Sequence, residues 1–241
     1  MVSTSSLVEG LKRSGWGGRR QLVPFFKCVC VYWAVGGGGG GGEAAAKCAP
    51  VLWLAGSVAH AAAAGGPRAL LRRRVALGLA LSALGDALLV WPRGFVPGMA
   101  AFGGAHVAYT AAFGGRGARL APALGALLYA CTAVFVAQLR PAGALRALVP
   151  LYAALLATMT WRVAAAAPRP AALGALLFLL SDAILAYALF REPLPYRRVL
   201  VMSTYYLGQL GIALGALEAE APPPPPPPQP AAAPRPAVAA H

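Results

Sequence analysis

Acidic residues are scarce in this sequence: seven Asp and Glu stand against twenty-one Lys and Arg, a formal net charge of +14. Charged residues of both signs make up only 12% of the chain, about half the usual share of a soluble domain. The basic residues stand singly or in short clusters between apolar blocks, and none of the clusters is interleaved with stacking aromatics as a nucleic-acid groove requires. This distribution argues against a soluble or nucleic-acid-binding protein and predicts an integral membrane protein.

Cysteine and histidine are also rare. The four cysteines form no CxxC pair, so the sequence predicts neither a disulfide framework nor a thiolate metal site. Three histidines are present without an HxxxH or HExxH spacing, and His106 is the one placed in a span near other polar residues. We therefore expect no metal site. The absence of GxSxG also argues against a serine nucleophile.

The apolar residues form eight blocks, which predict an all-α bundle of about eight transmembrane helices. The blocks cover residues 21–35, 49–64, 75–91, 95–113, 120–138, 145–164, 171–190 and 199–217. A polar, basic segment, 1–20, precedes this membrane domain, 21–217, and a Pro/Ala-rich tail, 218–241, follows it and is expected to be disordered. Within the domain, seven glycines and EAAAK at 36–47 predict a flexible linker with a short helical spacer.

The distribution of Lys and Arg predicts the orientation of the bundle. With eight spans and a cytosolic N-terminus, thirteen basic residues lie on the cytosolic side and seven on the opposite side. Because basic residues are enriched in cytosolic segments, both termini are expected in the cytosol. The sequence leaves the oligomeric state, including a homo-oligomer, open.

The chain has only two aspartates, Asp86 and Asp182, and each lies inside a long apolar run. A shift of 96 residues superposes the runs 77–91 and 173–187 without a gap, with seven of fifteen positions identical. The shift carries the third span onto the seventh, an even number of spans, so it is compatible with a parallel four-helix repeat. A carboxylate in a bilayer is unfavourable by about 2.5–3.5 kcal/mol. The repeat places two of them at the same depth, which indicates a function. If the two carboxyl groups meet, they will not both ionise easily.

Other polar residues of the same spans are candidates to orient a substrate. They are Ser82 and Ser181 beside the aspartates, His106 and Tyr109 three apart in the fourth span, Tyr205 and Gln209 four apart in the eighth, and Arg93 after the third. Residues at these spacings share a helix face. Arg93 is within reach of a phosphate, although a basic residue at this place is more typical of a membrane interface.

Four segments carry a family resemblance. They are SALGDALLVWPRGFVPGMAAFGGAHVAYTAAFG (82–114), LYAALLATMTWR (151–162), GALLFLLSDAILA (174–186) and MSTYYLGQLGIAL (202–214). They resemble the lysoplasmalogenase family, the transmembrane protein 86 group and its bacterial relatives, and most closely its B-type mammalian branch. The similarity covers about residues 48–217, and the regions before and after it carry no inference.

The resemblance implies an eight-span hydrolase of the endoplasmic reticulum that acts on ether bonds and uses no cofactor. Its substrates would be 1-alkenyl lysophospholipids, which are cleaved to a fatty aldehyde and glycerophosphoethanolamine or glycerophosphocholine. Vinyl ethers hydrolyse when an acid protonates the β-carbon, so one of Asp86 and Asp182 would be the acid and the other the carboxylate, as in glycosidases. The sequence does not distinguish the two, and it leaves open a proton- or cation-coupled transporter or a non-catalytic lipid-binding or lipid-sensing protein.

Overall fold

The computed structural model describes residues 19–35, 39–114 and 120–218, and within them the chain is all-α. Eight helices follow one another in these residues, and each contains most of one predicted span. They are α1 Arg19–Val35, α2 Gly40–Ala63, α3 Ala69–Leu88, α4 Phe95–Phe113, α5 Pro122–Ala137, α6 Leu145–Ala166, α7 Arg169–Phe190 and α8 Arg197–Leu217. The prediction of an all-α bundle is thus confirmed, whereas 1–18 and 219–241, most of the N-terminal segment and of the tail, lie outside the described residues.

Three of the helices, α6, α7 and α8, are long and apolar enough to cross a membrane. Residues Leu22–Val35 of α1 and the whole of α5 are apolar but shorter. These helices support a membrane protein, and the crossing of the bilayer by all eight stays a prediction. The helix α3 departs from a uniform span because Arg72, Arg73 and Arg74 occupy its first turns.

The second helix begins earlier than composition suggests. Residues 40–47, which the sequence assigns to a linker and spacer, form the first two turns of α2. Glu43 accepts a hydrogen bond of 2.9 Å from the Gly39 amide, and an acid in the first turn is favoured by the helix dipole. The alanines that follow are strong helix formers. The helical register of this segment fixes the position of Lys47.

Five helices form a closed ring, in the order α3, α4, α6, α7, α8 and back to α3, with each helix packed against the next. The remaining three lie outside it: α2 packs on α3 and α8, α1 packs on α2, and α5 packs mainly on α6. The buried core lies within the ring and beneath α2. A ring of this kind encloses the side chains that point from its members to a common centre.

The α7–α8 interface is a close approach of two backbones. A Cβ at Gly174 of α7 would lie 2.6 Å from the Gly208 carbonyl oxygen and 2.7 Å from the Ile212 nitrogen of α8. Small residues at such positions let helices in lipid approach closely enough for favourable van der Waals packing. The interface therefore requires glycine at 174.

Contacts at one end of the bundle establish the relative direction of α3 and α7. Arg68, which precedes α3, donates a hydrogen bond of 3.0 Å to the Gly215 carbonyl in the last turns of α8. Ala171, in the first turn of α7, also packs against Gly215. Both α3 and α7 thus begin beside the end of α8 and run in the same direction, as a parallel repeat requires.

Further arginines at this end contact helix C-termini. Arg72 donates to Ala216 of α8, Arg74 to Ala111 of α4, and Arg162 to Gly114 after α4. Basic side chains stabilise C-terminal carbonyls because they satisfy free acceptors and complement the helix dipole. The arginine clusters that predict a cytosolic face therefore also hold the helix ends together.

Candidate active site

Asp86 and Asp182 line one cavity inside the helix ring. The cavity has a volume of about 90 Å³, and its lining also includes Lys47, Tyr152, Ser181 and Tyr205. A volume of this size accommodates several water molecules. The structure thus brings together the two carboxyl groups that the 96-residue repeat relates.

Asp86 lies in the last turn of α3 and has both carboxyl oxygens engaged. The Lys47 ammonium is 3.4 Å from Oδ1, and the Tyr205 hydroxyl donates a hydrogen bond of 2.6 Å to Oδ2. The Asp86 side chain is only 3% exposed and that of Lys47 14%. A partly buried ammonium and a hydroxyl donor both favour the ionised form of a carboxyl group. This environment suits a carboxylate.

Asp182 has a different environment. It is partly exposed, and the Tyr152 hydroxyl donates a hydrogen bond of 2.5 Å to its Oδ2. Among the described residues, Lys, Arg and His side chains provide Asp182 with no ion pair. One carboxyl oxygen is thus held by a neutral donor, and the arrangement is compatible with a carboxylic acid.

His106 extends the contacts of Asp182 by one residue. Its Nε2 lies 3.0 Å from the Tyr152 hydroxyl oxygen. Because that hydroxyl donates to Asp182, its oxygen is free to accept, and we infer that His106 Nε2 carries the hydrogen. Within the described part of the chain, His106 Nδ1 is buried without a hydrogen-bond partner. The three residues thus form a hydrogen-bond chain in which His106 donates to Tyr152 and Tyr152 donates to Asp182.

Aromatic packing holds both tyrosines in place, Tyr205 directly and Tyr152 through the His106 ring, whose centroid lies 5.3 Å from that of Tyr152. The Phe178 ring centroid lies 5.0 Å from that of His106 and 5.4 Å from that of Tyr205. Phe102 packs edge to face on Phe178 and on Tyr205. Such contacts contribute about 0.5–1.5 kcal/mol each beyond the burial of area. The hydroxyls that contact the aspartates are therefore carried by rings with little freedom to turn.

Three of the predicted site residues form a separate cluster. The Tyr109 hydroxyl donates a hydrogen bond of 2.8 Å to Gln209 Oε1 and lies 3.4 Å from Ser82 Oγ. All three side chains are fully buried and are not among the residues that line the aspartate cavity. The cluster joins α3, α4 and α8 behind that cavity, where its contacts hold the walls together.

Of the other two predicted residues, one lines the cavity and one lies outside it. Ser181 lines the cavity, although its hydroxyl is engaged by the Val201 carbonyl at 3.0 Å. Arg93 is exposed in the short 3₁₀ turn before α4 and does not line the cavity.

The sequence alone does not predict two residues of the cavity, Lys47 and Tyr152. Lys47 belongs to EAAAK, which by composition resembles an inert spacer, and Tyr152 stands among apolar residues in α6 with no polar neighbour at helical spacing. One signal for Lys47 was available in the sequence. The predicted span 49–64 is too short to cross a bilayer, and Lys47 lies within one helical turn of its start. Within the described residues, no group of three His, Cys, Asp or Glu side chains is arranged to hold a metal ion.

Comparison with known proteins gives a family match over most of the chain. Residues 42–216 match the YhhN family. Lysoplasmalogenase TMEM86B of Homo sapiens is 40% identical over 207 residues, which cover 83% of this chain and 88% of the relative. Lysoplasmalogenase TMEM86A of Bos taurus is 40% identical over 222 residues, and that of Homo sapiens 37% over 225, each covering 83% of this chain and 89% of the relative. No solved structure matches the chain.

Proposed function

The chain belongs to the YhhN family, and we propose that it is a lysoplasmalogenase, a hydrolase that cleaves the vinyl ether bond of 1-alkenyl lysophospholipids. The products are a fatty aldehyde and glycerophosphoethanolamine or glycerophosphocholine. The activity is that of the relatives, which are 35–40% identical over most of the chain. The observation that carries the chemistry is the pair of aspartates in one cavity, of which only Asp86 has a cationic partner among the described residues.

Asp182 is the acid of this proposal. Two carboxyl groups at one cavity favour a single negative charge, and the Lys47 ammonium favours placing that charge on Asp86. Asp182 then holds the proton on the oxygen that Tyr152 does not contact. It delivers this proton to the β-carbon of the vinyl ether, whose double bond supplies the electron pair. The Tyr152 hydroxyl stabilises the carboxylate that Asp182 becomes.

Asp86 is the carboxylate of the proposal. Protonation of the β-carbon leaves an oxocarbenium ion at the α-carbon and ether oxygen, which a nearby carboxylate stabilises. Water then adds to the α-carbon and gives its proton to Asp86. In the last step the hemiacetal hydroxyl gives its proton to Asp182, the bond from carbon to the glycerol oxygen breaks, and Asp86 returns its proton to that oxygen. One water is consumed and both aspartates recover their starting states, as in glycosidases.

The remaining candidate residues support the pair. Tyr205 holds Asp86, and His106 holds Tyr152. The helix contacts behind the cavity are stabilised by Ser82, Tyr109 and Gln209. Ser181 contributes to the cavity wall. Arg93 lies outside the cavity, where it would contact the phosphate headgroup. These roles require no metal and no organic cofactor.

The membrane in which the enzyme works is the endoplasmic reticulum in this proposal, with both termini in the cytosol. The count of thirteen basic residues against seven supports that orientation. The arginines that contact the ends of α4 and α8 would then face the cytosol. Asp86, in the last turn of α3, lies toward the opposite face.

The test is hydrolysis of a 1-alkenyl lysophosphatidylethanolamine by the purified full chain in detergent, with aldehyde release followed over time. Asp86→Asn and Asp182→Asn are each expected to lower kcat by about a hundredfold or more, as removal of a general acid or base does. Reaction in deuterium oxide should place one deuterium on the carbon next to the aldehyde, because Asp182 exchanges its proton with solvent.

The matched control is Glu192→Gln, which makes the same acid-to-amide change at an exposed residue between α7 and α8. It should leave kcat unchanged. Full hydrolysis by both aspartate variants would refute the acid–carboxylate pair. Absence of aldehyde from folded wild-type protein on both headgroups would instead favour ion transport or lipid sensing.

A further inference from the structure

A second cavity, of about 210 Å³, lies between α5, α6 and α7. Its lining residues occupy one stripe on each helix, at spacings of three or four: Leu128 to Val136 on α5, Val149 to Leu156 on α6, and Leu179 to Ala186 on α7. Leu139, just after α5, completes the lining. Such spacings place each stripe on a single helix face. The stripe on α5 extends over about 12 Å at 1.5 Å per residue, so the cavity is an elongated groove.

The groove exists because α5 is attached to the bundle near its two ends and less along its length. After its C-terminus, the Arg140 amide donates to the Phe190 carbonyl at the end of α7, and Arg191 donates to the Gln138 carbonyl, each at 2.9 Å. The N-terminal half of α5 is attached to α6. There Trp161 of α6 donates to the Leu120 carbonyl, its ring fills the space beside Gly125, and Tyr129 contacts the Thr158 hydroxyl. Gly125 is the only buried residue of α5. Between Tyr129 and the contacts of residues 138–140, α5 leaves a gap against α6 and α7.

The groove is continuous with the aspartate cavity. Four residues line both: Val149, Tyr152, Asp182 and Ala186. Apart from Thr132, Tyr152 and Asp182, the side chains that line the groove are apolar or the thiol of Cys131. Asp182 therefore lies where an apolar passage meets a cavity with ionisable groups, whereas Asp86 lines only the latter.

We infer that this groove binds the alkenyl chain of the substrate, an inference that rests on the proposed function. In a 1-alkenyl lysophospholipid the atoms follow the order hydrocarbon chain, β-carbon, α-carbon, ether oxygen, glycerol. With the chain in the groove, the β-carbon reaches Asp182 at the junction, and the α-carbon and oxygen enter the cavity that holds Asp86 and Lys47. This order matches the acid and carboxylate roles that the Lys47 ion pair indicates independently.

Groove-filling variants test the inference. Thr132→Phe on α5 and Ala153→Phe on α6 place rings in the groove from opposite walls. For a hexadecenyl lysophosphatidylethanolamine we expect each to lower kcat/KM by about tenfold, whereas a butenyl analogue should be cleaved at the wild-type rate because its chain ends near Asp182. Val134→Phe is the matched control, since Val134 is 65% exposed on the other face of α5.

Binding is measured separately with a non-cleavable alkyl-ether lysophospholipid that carries a photoreactive diazirine at the end of its chain. Adducts are expected on 128–139 and 149–156 in wild type and should be reduced in Ala153→Phe. An equal loss of activity on both chain lengths, no loss on either, or adducts outside these segments would overturn the inference. Adducts in the groove with no aldehyde released from either substrate would refute the proposed function and leave the chain-binding site intact.

Discussion

Replacement of Lys47 by methionine tests the assignment of charge between the two aspartates. Methionine keeps most of the apolar stem of lysine and removes only the ammonium, which lies 3.4 Å from Asp86 Oδ1 and 3.4 Å from the Asp86 carbonyl oxygen. The variant leaves a buried carboxyl group with the Tyr205 hydroxyl as its one remaining polar partner among the described side chains. We expect Asp86 to take up a proton as a result.

The size of the electrostatic change follows from the distance. At 3.4 Å and an effective dielectric constant of about 20, the attraction between two unit charges is about 5 kcal/mol. Protonation of an aspartate at neutral pH in water costs about 4 kcal/mol. Loss of the ammonium removes a stabilisation larger than that difference, and burial of the carboxyl group acts in the same direction. The site then contains two acids and no carboxylate.

The expected result is a fall in kcat of about a hundredfold or more, with KM little changed because Lys47 contacts Asp86 rather than the groove. The assay is aldehyde release from a 1-alkenyl lysophospholipid by the purified protein. Lys47→Arg should retain most of the activity since it keeps the charge. The double variant Lys47→Met/Asp86→Asn should be no slower than Asp86→Asn alone, because both changes remove the same carboxylate.

Lys27→Met is the control for this experiment, because it makes the same substitution at an exposed position of α1. It should behave as wild type. Wild-type kcat in Lys47→Met together with an inactive Asp86→Asn would refute the reasoning, because Asp86 would then be ionised without its cation. If the losses of kcat in the two single variants instead add up in the double variant, Lys47 acts on something other than the Asp86 carboxylate.

Two further predictions concern the hydroxyl that contacts Asp182 and the α7–α8 interface. Tyr152→Phe removes the hydrogen bond to Asp182 and should lower kcat by about tenfold to a hundredfold. Tyr129→Phe, the control, removes a hydroxyl whose hydrogen-bond contact in the described part of the chain is with Thr158, and it should leave kcat unchanged. Equal kcat values in the two variants would contradict the role of Tyr152. Gly174→Ala places a Cβ 2.6 Å from the Gly208 carbonyl oxygen and should lower the free energy of unfolding by about 1–3 kcal/mol. Gly56→Ala, in a helix with nothing within 4 Å of the new Cβ, should stabilise by up to about 1 kcal/mol; the measurement is thermal unfolding in detergent, and equal midpoints would show that α7 and α8 are not closely packed.

The helices were predictable because their signal is local. Apolar runs bounded by basic residues, Pro and Gly mark each helix, and the bounds of α4, 95–113, agree with the structure to the residue. The beginning of α2 differs from the prediction at residues 40–42, where glycines expected in a flexible linker continue the helix of the EAAAK segment, which Glu43 and the following alanines stabilise. Composition reports the average preference of a segment, whereas a helix start depends on individual contacts.

The aspartates were predictable from their rarity and from the repeat. The meeting of Asp86 and Asp182 in one cavity follows from parallel helices in a closed ring, and the sequence indicates the parallel direction through an even number of spans. Two tyrosines lie at positions that the sequence did not predict. Tyr109, expected at the site, hydrogen-bonds to Gln209 behind the cavity, whereas Tyr152 contacts Asp182.

By itself the sequence determined the membrane class, the number of helices in the described residues and the two carboxyl groups, because apolar periodicity and the unfavourable burial of charge act along a single segment. Only the tertiary structure decided which aspartate has a cation beside it and which lies at the mouth of an apolar groove. Lys47 and Asp86 are 39 residues apart, and their ion pair depends on the packing of α2 against α3. Distances between helices arise from side-chain packing around the whole ring, and no single segment of the chain encodes them.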